Sequence, residues 1–393
     1  MKTLALLTFL TLFLLPGKSY SQIKLSPDAQ ISLLTCAQGD EIYSYFGHSA
    51  IRINDPKAGI DYVFNYGVFS FEAPNFIWRF INGQTDYILQ GQRMASFMEA
   101  YYEEQRSVEQ QVLNISQTEK QSLFDALVEN AKKENREYRY RHFSDNCATR
   151  VRDQFEKSVN HRLQYDTSKD RKLSWRNLVD EYVPGNSWNG FGIKLALGIP
   201  TDEITTFSQK MFLPDYLMRS MAEAKVLRDG GPESFVMPST TLFKAAPIQP
   251  GFGVTSPVVV VNLLLLIVAG LTFVELRRKK RMIGLDFMVF FSVGFAGLIL
   301  SFLCFISVLE ATGWNLNLIW ALPTHIVFAF LWLVPSLRPR LEVYLKFTTV
   351  VLLLFLLTMA FLPQTFHWLV VPICLMILLR TGSSLKFIVK RKI

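Results

Sequence analysis

Hydrophobic and polar positions follow two regimes along the 393 residues. Up to about residue 255 they mix over short distances, as in a folded, water-facing domain. From Ser256 onward, apolar runs of membrane-spanning length recur between short polar breaks. In the first regime Ile31–Thr35 is a short apolar run suited to a buried strand. Ser49–Ile53 and Tyr62–Tyr66 are rich in β-formers, and the turn-forming stretch Asn54–Gly59 between them predicts a hairpin. Thr118–Lys133 reads as a helix, with Thr118 and Gln121 at capping-box spacing. Asp145 and Asn146 are candidate caps of a helix carrying Cys147–Lys157. Strands with segregated helices predict an α+β domain. In the second regime five spans are expected, at about 256–276, 285–309, 316–334, 345–362 and 366–379, the last short for a bilayer.

The N-terminus, with Lys2, an apolar Leu4–Leu15 stretch, Pro16-Gly17 and a Ser19-Tyr20-Ser21 end, is built like a secretory signal peptide cleaved before Gln22. The organisation expected is a signal peptide over 1–21, an exported domain over 22–230, a Pro/Gly-rich linker over 231–255 and a transmembrane domain with a basic tail over 256–393. Five prolines between Gly230 and Pro257 predict a stiff, irregular joint.

Charge changes the picture only once it is located. Half of the residues are hydrophobic, 19% are charged, and the net charge is +8. After Ser256 there are 13 basic and four acidic residues, so the rest of the chain sums to −1. The excess lies between spans: Arg277–Arg281, Arg338, Arg340 and Lys346, then a tail from Arg380. The loops around Glu310–Asn315 and Pro363–Phe366 carry no Lys or Arg. An exported N-terminal domain makes the first span run outside to inside, which puts every basic segment on the inner side, as the positive-inside rule requires. A nucleic-acid footprint is thereby excluded.

Two cysteines fall in the exported domain, Cys36 and Cys147. In an oxidising compartment they could form a disulfide. The setting of Cys147 argues for chemistry: a helix start with Arg150 and Arg152 nearby lowers a thiol pKa. A thiolate nucleophile needs a base, and the candidates are His48, His142 and His161. His48 stands at the head of a strand beside Gly47, whereas His142 and His161 read as polar surface residues. Composition alone does not pair His48 with Cys147. The five histidines are dispersed without ligand spacing, and no metal site or cofactor is expected. No nucleotide-binding Gly-rich loop is present either.

Several segments in order resemble the exported domain of Lnb-type lipoprotein N-acyltransferases. They are Leu34-Thr35-Cys36, Tyr43 through Ile53 (YSYFGHSAIRI), Phe64-Asn65-Tyr66-Gly67, Pro74-Asn75-Phe76, Asp145 through Arg150 (DNCATR) and Met211 through Tyr216 (MFLPDY). A strand histidine followed by Asn-Cys at a helix start also resembles permuted papain-like enzymes of the NlpC-like and lecithin:retinol acyltransferase groups. The resemblance implies a permuted papain-like exported domain followed by a five-helix bundle. It implies transfer of an acyl chain from a phospholipid donor to a diacylated lipoprotein acceptor, in the bacterial inner membrane, with the N-terminal domain periplasmic and the C-terminus cytoplasmic. Carried over by position, Cys147 is the nucleophile and His48 the general base. Asn65, with Asp61 behind it, is the candidate third residue. Tyr43 or a backbone N–H near Cys147 is the candidate oxyanion donor, Arg150 a candidate substrate contact, and a role for Cys36 stays open.

Two further expectations concern the surroundings. Phe69, Phe71, Phe76, Trp78 and Phe80 form either a dry, bilayer-facing mouth or the core of a hairpin-and-helix unit. In the third span, Pro323-Thr324-His325 lies near mid-depth, and His325 faces either a groove for acyl chains or a neighbouring helix. Alternatives to acyl transfer are a membrane-tethered Cys/His cell-wall amidase or peptidase with a polar, open cleft, and a non-enzymatic assembly factor with a Cys36–Cys147 disulfide.

Overall fold

A computed structural model describes residues 23–70, 72, 74–246 and 253–389. The signal-peptide stretch and Phe71 lie outside the described residues. In chain order the first elements are β1 (Gln30–Cys36), β2 (His48–Asp55), β3 (Ile60–Val68), α1 (Phe76–Ile81), β4 (Asp86–Arg93) and α2 (Met94–Glu103). Next come β5 (Val108–Val112), α3 (Gln117–Asn130), β6 (Glu137–Arg139), α4 (Cys147–Ser158), β7 (Leu163–Gln164), α5 (Trp175–Tyr182) and α6 (Trp188–Ala196). The domain closes with α7 (Phe207–Lys210), α8 (Pro214–Glu223), β8 (Lys225–Arg228), β9 (Gly231–Ser234) and β10 (Thr240–Phe243). Seven strands make an antiparallel sheet in the order β10-β5-β1-β2-β3-β4-β6, and β7, β8 and β9 make a small second one.

The expected hairpin is β2–β3, with Ile51 opposite Phe64. β1 is central and covered on both faces, which is why its residues form a continuous apolar run. Ile31 and Leu33, with Ile51, Ile53 and Phe64, pack against Phe124 of α3, Phe155 of α4 and Leu217 of α8. Leu34 and Cys36, with Ala50 and Val63, lie under Phe97 and Tyr101 of α2.

Three expectations need correction. The capping box of α3 is Ser116 with Glu119, not Thr118 with Gln121. The reason is that the chain turns helical two residues earlier. The expected 231–255 linker is not irregular throughout, since Gly231–Ser234 and Thr240–Phe243 form β9 and β10, and β10 adds the edge strand beside β5. Prolines at 232 and 238 punctuate these edge strands without stopping them. Finally, Arg380 does not begin a tail.

The membrane half consists of α9 (Pro257–Arg278), α10 (Ile283–Phe305), α11 (Thr324–Leu333), α12 (Glu342–Thr358) and α13 (Val370–Val389). Among the described residues five stretches are long and apolar enough to cross a membrane: Pro257–Arg278, Ile283–Phe305, Leu316–Leu333, Arg338–Phe361 and Val370–Ile388. The fifth is full length because Arg380 sits fully buried inside it. Its guanidinium donates to Asp286 of α10 (2.8 Å), Glu275 of α9 (2.9 Å) and Thr272 (2.8 Å). Trp332 of α11 donates to the same Asp286 at 2.9 Å, so one polar knot joins four helices.

The domain rests on the end of the bundle opposite the basic loops. Asn315 Nδ2 donates to the carbonyls of Leu195 (2.8 Å) and Ala196 (3.0 Å), and Asn317 to Leu195 (3.0 Å), capping the C-terminus of α6 from the membrane half. Phe191 of α6 packs with Val261 and Leu369. Main-chain bonds join Gly198 to Ala311 (2.8 Å) and Val308 to Asn82 (3.1 Å).

Candidate active site

Cys147 is the first residue of α4, and Asn146 is its N-cap. Asn146 Oδ1 accepts from the N–H groups of Ala148 (2.9 Å) and Thr149 (3.0 Å). Its Nδ2 donates to the carbonyls of His142 (2.8 Å) and Phe212 (2.9 Å). Every polar atom of that amide is therefore used, and the helix start is pinned to two loops. His48 opens β2, opposite Cys36 of β1. Gly47 before it has φ +76°, and a Cβ there would lie 2.6 Å from the Cys36 carbonyl oxygen, so glycine alone lets the chain turn into β2 at this spot.

Asn65 Oδ1 lies 2.5 Å from His48 Nε2, which leaves Nδ1 of that ring to meet the thiol. The β3–β4 register shifts between Asn65 and Val68, a bulge that holds Asn65 and Gly67 at the site. Gly67, at φ +87°, lies against Cys147, His48 and Tyr140, with 3.6–3.8 Å between their nearest atoms and the place of its absent Cβ.

Burial pushes the Cys147 thiol up, but the charge and hydrogen bond of His48 and the N–H groups of Ser49 and Ala148 outweigh it, and the thiol is held below its ordinary value. For His48 burial pushes down, while the Cys147 charge and the bonds to Cys147 and Asn65 raise it above the usual imidazole range. Both shifts run in the direction that favours an ion pair between Cys147 and His48 at a helix N-terminus. Tyr140 hydrogen-bonds Cys147 as well; burial first, then the sulfur's charge, keeps its phenol protonated and hence a donor. Tyr140 lies in the charged 134–141 stretch, where nothing in the pattern of residues marks it.

The pair opens into a cavity of about 590 Å³. Its walls include Tyr43, Phe69, Phe80, Tyr87 and His142 from the sheet domain, and Val308–Thr312 from the membrane half. Two family models match this chain: the Lnb N-terminal periplasmic domain over residues 20–181, and the Lnb transmembrane domain over residues 249–392. The chain belongs to the Lnb family. No curated protein and no solved structure matches it. As an Lnb protein it is a multi-pass membrane protein with a periplasmic, mixed α/β N-terminal domain ahead of five transmembrane helices.

The other residues singled out in the sequence have varied positions in this Lnb protein. Tyr43 lines the cavity, its ring edge-on to Phe69. Arg150 does not line it; its guanidinium is held by Asp145 at 2.6 and 2.8 Å and lies 3.6 Å over the Tyr138 ring. Asp61 pairs with Arg52 (2.8 Å), while His48 is held by Asn65. His325 is fully buried in the bundle, bonded to Tyr344 (2.7 Å) and set against Phe290, and faces no groove. A helix–helix hydrogen bond explains it. Cys36 and Cys147 are both free thiols, and burial raises the Cys36 pKa to about 12. His142 is exposed, as expected, and its ring also meets Tyr140 and Phe80 on the cavity wall. Among the described residues no group of His, Cys, Asp or Glu could hold a metal ion.

Proposed function

We propose that this Lnb protein is a thiol-dependent lipoprotein N-acyltransferase of the bacterial inner membrane, with its C-terminus in the cytoplasm. The observation that carries this reading is a cysteine at a helix start beside a histidine held by Asn65, inside a cavity that the membrane half helps to wall. Cys147 is the nucleophile, His48 the acid–base group, and Asn65 the residue that orients the imidazole. The Cys147 sulfur attacks the ester carbonyl of a phospholipid and forms a C–S bond. The ester C–O bond then breaks as His48 returns its proton to the leaving alcohol, giving a lysophospholipid and a thioester. In the second half the α-amino group of the N-terminal, diacylated cysteine attacks the thioester. His48 takes the amine proton, the C–S bond breaks, and the thiolate is restored with an amide formed.

The Tyr140 hydroxyl is a candidate donor to the tetrahedral oxyanion, alongside a backbone N–H near Cys147. Exclusion of water decides between aminolysis and wasteful hydrolysis of the thioester. The aromatic walls Phe69, Phe80 and Tyr87 support that requirement better than they suit a polar, open cleft for cell-wall peptides. The test is mass spectrometry of a lipoprotein's N-terminal peptide from cells lacking this protein, complemented with wild type or Cys147→Ala. Wild type should restore the N-linked acyl chain, and the variant, at equal expression, should not. Restoration by both removes Cys147 as nucleophile; restoration by neither removes lipoprotein acylation.

A further inference from the structure

We propose that α1 is inserted in the outer leaflet, and that the seam between α1 and Val308–Leu309 is a lateral doorway through which an acyl chain of a bilayer glycerophospholipid reaches Cys147. This inference rests on the acyl-transfer reading.

Helix α1 has the sequence FIWRFI and is apolar on both sides. On its inner side Phe76 stacks on Phe69 (5.4 Å) and on Phe80 (5.9 Å), and Phe80 lines the cavity. On its outer side Ile77 is 76% exposed and Trp78 55%. Arg79, its one charged side chain, turns back to Asp86, forming an ion pair, and to the Gln84 carbonyl. A six-residue helix with such a surface has no reason to face water.

What covers that outer side is read from its neighbours. The Trp78 ring lies 5.3 Å from Phe302 in α10, a helix apolar enough to cross a membrane. The exposed patch runs on through Phe305 and Val308, which are 76% and 60% exposed. α1 thus continues the lipid-facing surface of the bundle, with Trp78 at the depth where indole rings favour the interface. The wall behind is thin. Ser307 Oγ donates to the Ile81 carbonyl (2.8 Å) and Val308 N to the Asn82 carbonyl (3.1 Å), and Gly83 abuts Leu309. Phe80, Gly83, Val308 and Leu309 line the same cavity as Cys147 and His48. At this seam one short helix and one loop separate hydrocarbon from the thiol, and the bonds that close it are few.

The experiment uses the full chain in vesicles of phosphatidylethanolamine and phosphatidylglycerol. Acylation of Cys147 is followed by intact-protein mass spectrometry, with the vesicle lipid as one donor and water-soluble 4-nitrophenyl butyrate as the other. The Ile77→Glu/Ile81→Glu variant should be acylated by vesicle lipid about tenfold or more slowly, with the butyrate rate within about twofold of wild type. An unchanged lipid rate, or equal loss of both rates, overturns the doorway. A wild-type protein acylated by neither donor overturns the acyl-transfer reading and the doorway with it. A second measurement is independent of activity and of the charged variant's folding. Tryptophan quenching by brominated phosphatidylcholine should lose a component in Trp78→Phe; an unchanged quenching curve puts α1 outside the bilayer and also overturns the proposal.

Discussion

Cys147 hydrogen-bonds His48, and Cys36 is the residue opposite His48 across β1 and β2, yet their environments drive them in opposite directions. Cys147 collects His48 and two backbone donors, while Cys36 is sealed beneath α2 with burial outweighing a hydrogen bond from Tyr101. As pH falls, the Cys147 thiolate is lost only below the range of an ordinary thiol; as pH rises, the imidazolium is lost only above the range of an ordinary histidine. Iodoacetamide should therefore alkylate Cys147 at a lower pH than it does an ordinary thiol, and should leave Cys36 untouched. In His48→Ala the acid limb of the reaction should move toward the ordinary thiol range. A pH profile unchanged by that substitution would break the pair apart. Asn65 makes the complementary contribution, since a ring held at Nε2 keeps Nδ1 aimed at sulfur.

For the elements, the start of α4 carries the greatest consequence, because the cap, the proposed nucleophile and the Ala148 N–H fall within three residues. Asn146→Ala removes two cap bonds and strips the carbonyls of His142 and Phe212 of their donor. It should destabilise the domain by about 2 kcal/mol, read as a lowered melting midpoint in detergent, and should raise the reactive pH of Cys147 at the same time. Much of this element was legible in sequence, because a cap, a helix start and a strand head are signalled by adjacent residues. Asn65 was legible for the same reason, lying one strand away across a tight hairpin. Tyr140 was not: its approach to Cys147 depends on β6 pairing with β4, a contact between distant segments. α1 read ambiguously because a helix apolar on both sides has no period that separates mouth from core. Strands β9 and β10 were hidden by prolines that edge positions tolerate.

At the scale of the whole molecule, the five spans were evident from hydropathy, but the end of the fifth was not. A charged side chain reads as exposed until its partners are known, and those of Arg380 are about a hundred residues away in sequence. The knot they form makes a clear prediction. Arg380→Met takes the buried guanidinium from Glu275 and Asp286, leaving Asp286 with Arg281 at 3.7 Å, at a cost of about 3–5 kcal/mol, and should deplete the monodisperse protein recovered by size-exclusion chromatography. Adding Glu275→Gln and Asp286→Asn should recover much of it. If Arg380→Met alone accumulates normally, the knot does not hold the bundle.

The seat of the periplasmic domain on the bundle has one more consequence. α6 is capped from below by Asn315 and Asn317, and the chain on either side of the cavity is tied by main-chain bonds to the loop after α10. The thiol therefore works at a set altitude above the lipid, like a tool clamped to its bench rather than held on a cord. A reactive group drifting free in the periplasm would gain nothing from this arrangement. Under the proposed acyl transfer, molecules that the bilayer itself carries at that height are favoured over those dissolved in the periplasm, so the membrane helps to select substrates by elevation.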